Sequence, residues 1–401
     1  MRPGIDKEVV EMAIKNENKT GPQAITRPTR SVGRRWLLKG LAATGAVAGI
    51  GPWVVRDARS SSGEIALLMR AYHLPKIFLD RFEKQTGIKV RFTSFGSDAE
   101  LLAKVKATKG LGFDLVSPAS PSAKHWEPLN LLQAFDMKKV PLDRVEPALL
   151  KVSTDNWMRG GDNYHLPYLW STEALAWRTD KWTSKNGDLS YGDLWRPEMK
   201  GNVMGSAGSM MIGIGLFLDA TGKLPSKRLL DTYKNEATMR KIWSEILKFA
   251  VERKSWVRLF WKDADSQTSG FMHNSVVLGQ TWAGPPIRLK TGGKPVTYMA
   301  PKEGALSWID GLSIPAGAKN IPQIYEFLKF AYQPSSGGLL GTNTGYNPVS
   351  KGASQYLTPA TKQSVADAFP KDALDKLWWI PPEPIWYAAA LAEFRDKFVA
   401  A

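Results

Sequence analysis

Trp308 and Asp310 stand two residues apart in the sequence Trp308-Ile309-Asp310. In an extended strand such positions share one face, so an indole and a carboxylate would stand side by side. That pairing suits a cation. A desolvated ammonium over a Trp face gains about 2 kcal/mol, and a charge-assisted hydrogen bond adds direction. The chain carries 16 Trp among 401 residues, which makes aromatic binding surfaces worth seeking, although a Trp-rich core accounts for most of them. It has no Cys, which excludes disulfides, thiolate catalysis, iron–sulfur clusters and Cys-based zinc sites. The four His, at positions 73, 125, 165 and 273, are widely spaced. None forms a helical i,i+4 pair, so no metal site is expected, and His165 reads as structural. No Ser/His/Asp set or close carboxylate pair is recognisable, and no glycine-rich nucleotide loop follows any strand. The expectation is a binding protein without cofactor or catalysis.

The elements that must position these residues read as α/β. Residues 64–69 form a buried strand, 76–86 a helix closed by Gly87, 88–95 an alternating strand, 99–108 a helix and 113–116 a short apolar strand. This order predicts a parallel sheet with helices on both faces. Residues 164–178 read as extended, and 324–332 and 387–398 as helical. Pro381-Pro382-Glu383-Pro384 is a local breaker. A chain of this length suffices for two domains, each with its own core.

The formal net charge is +16. Residues 1–58 hold 10 Lys+Arg against 5 Asp+Glu, so most of the basic excess lies beyond them. No Arg/Lys block interleaved with aromatics and no zinc-finger pattern accompanies it. A solvated basic surface, not a nucleic-acid partner, is expected. Within the leader, Arg34-Arg35-Trp36-Leu37-Leu38-Lys39 precedes a short Ala/Gly-rich apolar run reaching Val55. This resembles a twin-arginine export signal and is too short for a stable membrane span. A periplasmic location is expected.

Four stretches together resemble the spermidine/putrescine-type periplasmic binding proteins. They are residues 82–90, residues 164–172, Trp282-Ala283-Gly284, and the run from Pro301-Lys302-Glu303-Gly304 through Trp308-Ile309-Asp310-Gly311-Leu312-Ser313-Ile314-Pro315-Ala316-Gly317-Ala318-Lys319-Asn320 to Gly345-Tyr346-Asn347-Pro348. The resemblance implies a two-lobed periplasmic-binding-protein fold of type II, with discontinuous lobes and a ligand cleft between them. It places a leader at 1–58, lobe one at 63–171 and 283–335, and lobe two at 172–282 and 336–401. It also implies the substrate-binding component of an ABC importer, a monomer working with a permease and an ATPase and capturing a polyamine or related small organic cation.

On the family pattern, Asp310 pairs with a ligand ammonium, Trp308 and Trp282 line the alkyl chain, and Tyr346 is a late pocket tyrosine. His73 and Arg70 stand near usual pocket aromatics, and Trp379, in an aromatic pair before the Pro breaker, is a further ligand candidate. The family's second carboxylate cluster is missing: residues 200–211 carry no acid. Small residues there, with Ser206 and Ser209 before an apolar helix, suggest a site for a polar or anionic ligand end, with Arg70 as an added cation. The alternative is a receptor for a zwitterion or anion, as in the thiamine, iron and phosphonate relatives, with a zwitterion bound between Asp310 and Ser206–Ser209, and an exported enzyme is a more distant one.

Overall fold

A computed structural model describes residues 63–184 and 188–401. The leader and its Arg34-Arg35 pair lie outside the described residues. The chain opens as read: β1 (Gly63–Met69), α1 (Lys76–Thr86), β2 (Ile88–Ser94), α2 (Asp98–Thr108) and β3 (Leu115–Val116). Gly87 closes α1 at φ +72°, donating its N–H to the Glu83 carbonyl, a left-handed position that glycine adopts without penalty. Ser97 opens α2 by accepting the Glu100 N–H. The strands pair in parallel in the order β2-β1-β3.

The second sheet is built around β4 (Leu166–Arg178), whose 13 residues are buried almost throughout. Buried on both faces, it shows no polar alternation. After it come β5 (Val203–Gly205), α3 (Ala207–Ala220), β6 (Val257–Phe260), β7 (Leu278–Trp282), β8 (Val296–Met299) and β9 (Leu306–Leu312). Two-residue strands β10 (Asn347–Pro348) and β11 (Trp378–Trp379) complete it. The sheet order is β11-β9-β4-β7-β5-β6, with β8 and β10 also pairing β4. Among the described residues no helix is long and apolar enough to cross a membrane.

Core membership divides the chain differently from the boundaries expected at 283 and 336. Ile287, Val296, Tyr298 and Ala305 pack with Ala174, Ala176 and Phe271, in the second lobe. Leu340, Tyr346 and Val349 pack with Ile65, Leu67 and Phe78, in the first. The reason is register: β8 runs antiparallel to residues 175–178 of β4 and stays with that end. The strands that cross are β4 and β9. Leu166 and Leu169 lie in the first core and Leu175 in the second. Likewise Leu306 belongs to the second and Ile309 and Leu312 to the first.

Candidate functional site

Asp310 and Trp308 lie on β9 and share a face, as the alternation requires. Cross-strand register pairs Asp310 with Leu169, Trp308 with Ser171 and Leu306 with Glu173 on β4, and Glu173 with Trp282 on β7. Asp310, Trp308, Glu173 and Trp282 therefore stand on one side of the sheet.

Asp310 is 2% exposed. Its Oδ2 accepts the Trp308 indole N–H at 2.9 Å, while Oδ1 is buried without a hydrogen-bond partner. Burial pushes its carboxyl up to about 6, against the downward pull of Arg70 and of the Trp308 bond. Arg70 faces this acid with its Nε 3.8 Å from Oδ1, while both its Nη groups are engaged elsewhere. Nη2 bonds Asp98 at 2.7 Å, Nη1 bonds the Gly96 carbonyl at 2.9 Å, and the guanidinium lies over Phe95. Arg70 is therefore committed to first-lobe groups and is not a free cation for an anionic ligand.

His73 is fully buried with Nε2 3.5 Å from Asp310 Oδ2. Desolvation, reinforced by Arg70, holds its pKa well below the ordinary imidazole value, so the ring is neutral. Neither ring nitrogen has a hydrogen-bond partner. Against it stands Tyr72, absent from the sequence reading, edge-on to His73 at 4.7 Å and stacked on Tyr346 at 5.3 Å. Tyr72 also reaches across to Trp282 of the second lobe at 5.9 Å, and Trp282 packs on Trp261 at 4.9 Å. The structure thus joins His73, Asp310, Trp308, Tyr346 and Trp282 in one group. Trp379 packs instead on Trp170 at 6.1 Å, beside Phe369. His165, read as structural, is pinned: Nδ1 meets Ser153 at 2.6 Å, Nε2 meets the Pro118 carbonyl at 3.1 Å, and the ring stacks on Trp157.

Ser206 and Ser209 do not form an open anion site. Ser206 caps α3 by accepting the Ser209 N–H, and the two hydroxyls are 2.7 Å apart. The Ser209 hydroxyl donates to Glu173 Oε2 at 3.1 Å. A carboxyl group already occupies the place proposed for an anionic ligand end, and its ionised form would repel one. Glu173 also accepts from Gln280 at 3.1 Å. It is 4% exposed, and burial pushes its carboxyl up to about 7. Among the described residues no three His, Asp or Glu converge as a metal site requires.

Residues 78–370 match the family model of bacterial extracellular solute-binding proteins. The spermidine/putrescine-binding periplasmic protein of Escherichia coli K12 is 26% identical over 290 residues, covering 72% of this chain and 78% of that protein. Among solved structures, a putative spermidine/putrescine ABC transporter protein from Listeria monocytogenes superposes with a TM-score of 0.69 at 22% identity, covering 84% of this chain and 98% of that one. The Atu4243–GABA receptor superposes with a TM-score of 0.62 at 18% identity, covering 84% and 97%. The α/β topology, the buried acid among aromatics between two cores and the match over most of the chain place this protein in the bacterial extracellular solute-binding protein family.

Proposed function

We propose that the protein is the substrate-binding component of an ABC importer, a non-catalytic receptor that captures a polyamine or related small organic cation between its lobes. The observation that carries this reading is Asp310: a buried carboxylate, one oxygen without a hydrogen-bond partner and with only Arg70 Nε at 3.8 Å, set among Tyr72, Tyr346, His73 and Trp308. An unpaired buried carboxylate oxygen is costly, and a ligand ammonium would satisfy it while aromatic faces covered its methylenes. The spermidine/putrescine-binding name of the Escherichia coli relative supports the same ligand class. Thermal-shift titration tests it. At about 100 times its Kd a ligand adds about 2.7 kcal/mol, or roughly 4 °C in Tm for a chain of this length. Putrescine or spermidine is expected to give that shift and a matched amino-carboxylate to give little. A shift from the amino-carboxylate alone would overturn the reading.

Function as an importer subunit entails a periplasmic site, as in the relatives named periplasmic, and partnership with a permease and an ATPase. The twin-arginine route rests on Arg34 and Arg35 before the apolar run. Replacing both with Lys should leave the full-length precursor in the cytoplasm on fractionation, and export at the normal level would refute the route.

A further inference from the structure

We infer that Glu173 is a second cation-binding carboxylate, lying across the site from Asp310, so that the cleft takes an elongated dication with an ammonium at each end. This rests on the reading above that the cleft binds an organic cation, and it adds the far pole that residues 200–211 lack.

The two acids stand on the same side of one sheet, each beside a tryptophan: Trp308 donates its indole N–H to Asp310, and Trp282 is the cross-strand neighbour of Glu173. A continuous line of rings joins them. His73 touches Asp310, Tyr72 packs on His73, and Tyr72 meets Trp282, which is paired with Glu173 across β7 and β4. Register fixes their spacing. Glu173 is opposite Leu306, four residues along β9 from Asp310, or roughly 13 Å between backbone positions. Ser209 and Gln280, which donate to Glu173, are neutral. They orient the carboxylate but bring no positive charge to offset its burial, and a ligand ammonium would. The ionised form at this end repels an anionic group and rewards a second amine.

The experiment is calorimetric titration with putrescine and butylamine, on wild type, Glu173→Gln and Asp310→Asn, read as the ratio of diamine to monoamine affinity. Wild type should prefer the diamine by about tenfold or more, the order expected of one added charge-assisted hydrogen bond. Glu173→Gln should collapse that preference, and Asp310→Asn should weaken both ligands. A preference that survives Glu173→Gln, or a mutant that loses both ligands in equal measure, overturns the assignment. If Glu173→Gln does not fold, wild type decides with diamines from propane- to octane-diamine against matching alkylamines. An affinity peak at one chain length supports two poles, and no gain at any length overturns them. Failure of wild type to bind any amine would instead sink the proposed ligand class, and this inference with it.

Discussion

Replacing Asp310 with Asn is expected to weaken capture of the amine ligand by about 10- to 100-fold, the span of one charge-assisted bond lost at a buried site. The substitution keeps the shape and the Trp308 partner but removes the charge. The same carboxyl sets a pH dependence. Burial raises it to about 6, and an ammonium binds the ionised form, so affinity should fall as pH drops through that value. Of the surrounding groups, burial holds His73 well below its ordinary value, Arg70 stays charged against Asp98, and burial holds the Tyr72 and Tyr346 phenols above theirs. Glu173, raised to about 7, titrates in the same window, so the share of the acid limb that Asp310→Asn removes is the share that belongs to Asp310. The sign for the empty protein is opposite. A carboxyl whose folded pKa lies above its ordinary value disfavours folding once ionised, so its penalty grows as pH rises from the ordinary 3.8 through about 6. Titration calorimetry from about pH 5 to about pH 8 checks the binding effect, and calorimetric melting of the empty protein from about pH 4 to about pH 7 checks the stability effect. An Asn variant with wild-type affinity and the same acid limb would remove Asp310 from the site.

The largest structural effect is expected from Gly311→Ala, next to that acid. A Cβ at Gly311 would overlap the imidazole ring of His165 and come within 2.6 Å of the Leu166 carbonyl. The ring has nowhere to go, held by Ser153, the Pro118 carbonyl and the Trp157 stack. The Gly311 N–H itself bonds Pro118 at 3.1 Å, and the β4–β9 register shifts between Asp310 and Gly311. Relief requires moving β9 away from β4, at a cost on the order of 3 kcal/mol, or roughly 4 °C in Tm for a chain of this length. Because the displaced residue adjoins Asp310, ligand affinity should fall as well. Calorimetric melting with and without amine reads both losses, and a variant melting within a degree or so of wild type would show that the ring has room to yield.

Much of the first lobe was legible because its signals are local. Gly87 marks the end of α1, Ser97 caps α2, and strict alternation on β9 puts Trp308 and Asp310 together. The lobe boundaries were not legible, since which core claims Val296 or Tyr346 is decided by pairing with strands far away in the chain. The same holds for Tyr72, whose stacking partner Tyr346 comes from a distant segment. Glu173 did leave a trace: it is the lone acid in the buried run of β4. Ser206 and Ser209 misled because small residues at a helix start fit an anion equally well, and their actual partner lies on another strand. Arg70 misled in the same way, its charge being taken up by Asp98.

The crossing between lobes by β4 and β9 has a mechanical consequence. Two neighbouring hydrogen-bonded strands carry both cores, one at each end. Such a ribbon resists free swivelling and yields by twisting along its length, as sheets do. Asp310 and Glu173 ride on the ribbon itself, on facing strands in fixed register. Rotation of the cores would move the walls of the cleft, including Tyr72, far more than it would alter the spacing of the two acids. On the reading of Glu173 as the second pole, the pair would act as a fixed gauge, with ligand length measured on the strands rather than by the walls.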